Sequence, residues 1–153
     1  GGLADNAIPR QTKAVVVVEE KDTESLAQQV AALAAELGDE LATKDPDVKV
    51  TAKRLADTAE TITCAAPEET KRVAAFLQAA PNGVQAMSAD MPGLVQTSLN
   101  LGILKADEEV LRAEYSVRSS VESEKDNLIA KLSALVELTG GDYVVTGDYP
   151  GWK

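Results

Sequence analysis

Residues 95–105 read "VQTSLNLGILK" and residues 110–120 read "VLRAEYSVRSS", with "ADEE" between them. Both runs have strand length, alternate in side-chain character and are joined by a short polar segment, so together they predict a β-hairpin. In the second run Leu111, Ala113, Tyr115 and Val117 fall on one face, and Arg112, Glu114, Ser116 and Arg118 on the other. Such alternation predicts a sheet with one covered face.

The segments on either side complete this pattern. On the C-terminal side, Ser119 and Glu122 stand at capping-box spacing, and Leu128, Leu132 and Leu135 form one stripe of a helix that ends at Gly140-Gly141. The run "DYVVTGDY" (142–149) then reads as a last strand. On the N-terminal side, a short strand over Val84–Ser88 follows a helix that opens near Pro67. Glu68 and Glu69 suit the positive end of that helix, and Pro81-Asn82-Gly83 stops it. Strand, strand, helix and strand make the second half of a ferredoxin-like unit, and the helix from Pro67 to Ala80 supplies its first helix.

The first third of the chain carries similar signals. The β-branched run Thr12–Glu19 predicts a buried strand. Leu26, Val30, Leu33 and Leu37 recur at helical spacing behind Asp22 or Thr23 as cap, in a helix ending between Gly38 and Pro46. In "DVKVTAKRL" (47–55), Val48, Val50 and Ala52 alternate with polar residues, as in a half-exposed strand. The fold class that results is α+β: a ferredoxin-like sandwich with an antiparallel or mixed sheet and helices on one face. No low-complexity linker divides the chain, so one domain is expected, with 1–57 as the remnant of a first unit and 58–153 as a second.

Composition excludes much. At 153 residues a substantial core is expected, carried by aliphatic side chains because aromatic residues make up only 3%. The net charge of -10 disfavours nucleic acid and anionic membranes as partners. There is one cysteine, Cys64, hence no internal disulfide, and no signal-like or membrane-length apolar run, so a cytoplasmic setting is the default. The chain has no histidine, which removes the usual imidazole base and the commonest zinc ligand. Its carboxylates lack tight ligand spacing.

Among polar residues, Arg118 stands out at a strand end directly before the start of a helix. A guanidinium there, next to free backbone N–H groups and the Ser119 and Ser120 hydroxyls, suits an anion such as a carboxylate; equally, it suits a surface ion pair with Glu114 or Glu122. Asn100 sits in a strand, where asparagine is depleted, and either holds a loop or ligand or is simply exposed. Asn82 belongs first to a turn, and Asn6 to an extended approach to Pro9. Cys64 has no basic cluster near it and reads as a small packed or capping-region residue.

Taken in order, "GG" with "NAIPR", then "PNGV", "TSLNLG", "VRSS" and "YPGW" resemble the central insert of bacterial aminoacyl-histidine dipeptidases, the Xaa-His or cytosol non-specific dipeptidases of the aminoacylase-like dizinc metallopeptidases. The resemblance covers essentially the whole chain. It implies a lid built from ferredoxin-like units, set into a catalytic domain that binds two zinc ions and is the lid's partner, acting on dipeptides including Xaa-His. This chain alone would then be no enzyme, with no catalytic residue, cofactor or metal ligand of its own. Arg118 matches the family's arginine expected to bind the dipeptide's C-terminal carboxylate, with Val117 replacing an isoleucine, and Asn6 matches the asparagine expected near the scissile carbonyl. Arg10, Asn82 and Asn100 match as further substrate-side or architectural residues. The family's Gly-Gly-His-Ser-Gly motif would precede Gly1, and its chain continues past Trp152, so the chain looks like an excised lid whose open edge a homodimer would bury. The alternative is a standalone ferredoxin-like module that binds a small ligand or oligomerises.

Overall fold

The computed structural model describes residues 1–55, 61–107 and 109–148. Its elements are α1 (Thr23–Glu40, behind a single 3-10 turn at Glu20–Asp22), α2 (Pro67–Ala79), β1 (Gly83–Met87), β2 (Val95–Ala106), β3 (Leu111–Ser119) and α3 (Glu122–Thr139). They fall into two compact units, one of Gly1–Ala14 with Ala65–Lys153, the other of Val15–Cys64.

The larger unit is α+β, with a three-stranded antiparallel sheet in the order β1-β2-β3. The β2–β3 hairpin is the one predicted, with Thr97 opposite Ser119 and Ala106 opposite Leu111. Its turn is tied by Asp107, whose carboxylate accepts the N–H groups of Glu109 and Val110 at 2.9 Å each. These two bonds hold the Asp107 carboxyl below the usual carboxylate range.

α3 packs on β3 and α2 packs on α3. Pro67 opens α2, where its missing N–H costs nothing. Gly140 closes α3 in the left-handed conformation, φ 75°, as its N–H reaches Glu137 O and the Gly141 N–H reaches Val136 O. Leu99 of β2 and Leu128 of α3 are the buried apolar residues among those described, worth about 1.5–3 kcal/mol each. The core is thus smaller than length alone implies.

Beside it lies a buried hydroxyl. Thr97 Oγ1 donates to the Glu124 carboxylate and accepts from Ser119 Oγ at 2.8 Å, while Ser119 Oγ accepts the Val121 N–H at 3.0 Å. Ser119 therefore does not cap α3 in a capping box with Glu122: the helix begins after Val121 without a side-chain cap. The serine oxygen takes the Val121 N–H, short of the first helical turn, while its hydrogen goes to the buried threonine. Burial also raises the Tyr115 hydroxyl pKa on the covered face of β3.

Three predicted strands do not form. Thr12–Glu19 pairs with no strand among the described residues, with Val15, Val16, Val17 and Val18 42 to 77% exposed. Residues 47–55 are likewise without a ladder, although Arg54 Nη1 pairs with Glu20 Oε1 at 2.8 Å within the smaller unit. Residues 142–148 pair with no strand; Asp148 is held instead by the Lys125 ammonium, which also meets Glu122, both at 2.6 Å. Asp148 and then Glu122 push the lysine pKa above its ordinary value. In all three segments the strand-like composition is real, but among the described residues no partner strand stands beside it.

The smaller unit is built around α1. Its seam is Leu26, Val30, Ala34, Leu37 and Leu41, all half-buried, whereas Leu33 points outward. No helix among the described residues is long and apolar enough to cross a membrane.

Candidate functional site

β2 is twelve residues long and β1 covers only its first part, from Val95 to Leu99. Beyond Leu99, two other groups take the vacated edge. Asn82, in the turn before β1, accepts the Leu101 N–H on its side-chain oxygen at 2.8 Å. Gly1 and Leu104 exchange backbone hydrogen bonds at 2.5 and 2.9 Å, so the N-terminal segment continues the sheet where β1 stops.

The two edge bonds at Leu101 and Leu104 are three residues apart, an odd spacing along a strand. A bulge between Leu101 and Ile103 reconciles them. Gly102 sits in the bulge because the chain crosses it closely: a Cβ there would lie 2.2 Å from Asp5 O, and one on Gly2 would clash with Gly102 O. Two glycines therefore let two backbones touch.

The crossing segment turns at residues 4–7, with the Ala7 N–H on Ala4 O at 3.3 Å, and returns so that Gln11 and Thr12 pass beside Gly1. Asn100 holds this turn. Its side-chain amide donates to Asp5 O and to Ala7 O, both at 3.0 Å, bracketing Asn6. Of the two readings of Asn100, loop holder or plain exposed residue, the geometry is that of a loop holder. Each neutral bond of this kind contributes about 1 kcal/mol.

The strand register then joins the turn to Arg118. Asn100 lies opposite Ser116 and Ser98 opposite Arg118, so these four share the face turned away from α3. Asn100 and Arg118 are diagonal neighbours, about 7–8 Å apart. Arg118 is exposed, and neither it nor the Asn6 side chain makes a hydrogen bond or ion pair to any described residue. Neither Glu114 nor Glu122 pairs with the guanidinium; Glu122 is engaged by Lys125.

Arg10, four residues past Asn6 on the returning arm, is exposed and joined to the group by no bond. Asn82 serves the β2 edge. Cys64 is exposed rather than packed. Ser116 is on the polar face that the sequence predicts, whereas Ser98 is no candidate on sequence alone, although strict alternation from Asn100 places it. Gly2 was equally silent, because its role depends on Gly102, a hundred residues away.

An open face with an unpaired guanidinium and a free carboxamide can bind a carboxylate and a neighbouring carbonyl. It offers no metal site: among the described residues no three of His, Cys, Asp and Glu are grouped to hold an ion.

No protein-family model matches the chain. All 153 residues align, at 30% identity, with the cytosol non-specific dipeptidase of Escherichia coli, and the chain spans 31% of that protein's length. The crystal structure of aminoacylhistidine dipeptidase from Vibrio alginolyticus superposes with a TM-score of 0.79 at 30% identity, over 87% of this chain and 26% of that one. The Tyr149-Pro150-Gly151-Trp152 series lies outside the described residues. By sequence over its whole length and by fold over most of it, the chain is related to one part of the aminoacylhistidine and cytosol non-specific dipeptidases.

Proposed function

We propose that this chain is the lid of a zinc-dependent dipeptidase that hydrolyses Xaa-His and other dipeptides, with its open sheet face turned to the substrate. The supporting observation is that the turn bearing Asn6 is pinned by Asn100 one diagonal from Arg118, an arginine with no anion to neutralise it among the described residues. In this reading Arg118 takes the C-terminal carboxylate of the dipeptide, and Asn6 donates to the carbonyl of the bond to be cut. Arg10 lies at the margin, and Asn82 and Asn100 hold the frame.

Two zinc ions, bound by residues of a catalytic domain outside this chain, would supply a metal-activated water. The lid's own work is to orient the substrate and exclude bulk water when closed over it. Residues 1–57 are then the remnant of a first ferredoxin-like unit and 58–153 a second, the catalytic domain is the partner, and pairing of two copies is a further part of the proposal. A cytoplasmic setting accords with the name of the Escherichia coli relative.

The test is Arg118→Ala in the full-length protein, assayed on a free dipeptide and on the same dipeptide with its C-terminal carboxylate amidated. A charged hydrogen bond is worth about 1.5–3 kcal/mol, so kcat/KM on the free dipeptide should fall by roughly tenfold or more. The amide, already poor, should lose little. Equal kinetics of variant and parent on the free dipeptide would remove Arg118 from the site.

A further inference from the structure

We infer that Asn100 is a positioning residue, which acts on the reaction by fixing the Asn6 turn relative to Arg118 and not by touching the dipeptide. This deepens the reading above and rests on it.

The chemistry of the amide carries the argument. A side-chain NH2 has two hydrogens, and those of Asn100 go to the carbonyls of Asp5 and Ala7, one on each side of Asn6. No donor is left for a ligand. The clamp grips backbone, so it sets the position of the residue between the two carbonyls whatever that residue's side chain does. A clamp on both flanks also restrains rotation of the turn, which a single bond would not.

The anchor itself is stiff. Asn100 lies in the central strand, between the buried Leu99 and the bulge at Gly102 over which the same segment crosses. Its partner across the hairpin, Ser116, is two residues from Arg118 on one face. A single strand pair thus carries both the holder of the turn and the arginine, and the distance between Asn6 and Arg118 is fixed through Asn100. Asn82 complements it from the edge by holding Leu101, the next residue of β2.

The experiment is a double-mutant cycle in the full-length protein, with hydrolysis of an aminoacyl-histidine dipeptide and the melting temperature read for each variant. Misplacement of a substrate-orienting group by about 1 Å costs up to a hundredfold, so Asn100→Ala should lower kcat/KM by roughly tenfold or more. In an Asn6→Ala background the same change should cost little further activity, while lowering the melting temperature by the same amount in both backgrounds. A structural effect alone would instead lower activity equally in both, and that additivity would overturn the inference. Should Asn100→Ala not fold, Asn100→Asp keeps the side-chain volume and removes both donors, and the same cycle is read with it. If Asn6→Ala alone leaves the kinetics unchanged, the role given to Asn6 fails and this inference with it, whereas the Arg118 test on free and amidated dipeptide stands independently.

Discussion

At the scale of single residues, one tightly constrained position is a glycine with an ordinary negative φ. Gly102 is required by proximity: Asp5 O and C would stand 2.2 and 2.4 Å from a Cβ, and both are backbone atoms that cannot swing aside. Gly102→Ala is therefore expected to release the turn at residues 4–7 and break the Gly1–Leu104 pairing. Faster amide exchange at Ala7 and Leu104, with the β2–β3 hairpin bonds still protected, would show it; unchanged protection would mean the crossing is looser than its geometry. Gly38 is the control, since open space surrounds it near the end of α1. There Gly→Ala should stabilise by up to about 1 kcal/mol through helix propensity. The same substitution thus takes opposite signs at two glycines that look alike in the sequence.

At the scale of elements, the parts that formed as read are those whose partners lie inside them or next to them in the chain. α1, α2 and α3 satisfy their own backbones, and β2 meets β3 across a four-residue connection, so periodicity and proximity were enough to find them. The segments at 12–19, 47–55 and 142–149 have strand composition too, but a strand needs a neighbour, and composition does not say whether one is present. The candidate site divides the same way. Arg118 was visible from its strand-end position, whereas the link from Asn100 to Asp5 and Ala7 spans 95 and 93 residues and has no local sign. The hairpin also carries a pH dependence. Its Asp107 pKa is depressed in the fold, first by the Glu109 N–H and then by the Val110 N–H. The stabilisation is therefore present above the unfolded value near 3.9 and lost as pH falls through the folded one. Amide exchange at Val110 and Arg112 should accelerate on acidification in this range, beyond the intrinsic change. In Asp107→Asn, which still offers an acceptor oxygen but cannot titrate, that extra acceleration should be absent. Its persistence there would assign the effect to other groups.

At the scale of the whole molecule, the described residues leave apolar strand-like surface unpaired, and this has a consequence for the 153-residue chain in solution. Val15 to Val18 present β-branched side chains and open backbone donors and acceptors together, while Tyr143, Val144 and Val145 are also largely exposed. An unpaired β-branched run of this kind is a template for another strand, because pairing would satisfy backbone groups and bury valine side chains in one step. The charge of -10 opposes association at long range, but salt screens it beyond about 10 Å at 0.1 M ionic strength, while the apolar contact is unscreened. The chain alone is thus expected to self-associate with rising concentration, more so with added salt. In a strand formed by pairing, Val16 and Val18 would share one face, so placing lysine at both adds charge to the apolar side and blunts the edge. Sedimentation velocity across a concentration series should show reversible association of the parent chain, weakened by Val16→Lys with Val18→Lys while the helical circular dichroism is retained. A parent chain that stays monomeric throughout, in low and high salt, would mean that this surface is inert. Association equal in parent and double variant would move the contact elsewhere, with the Tyr143–Val145 segment the next to be charged.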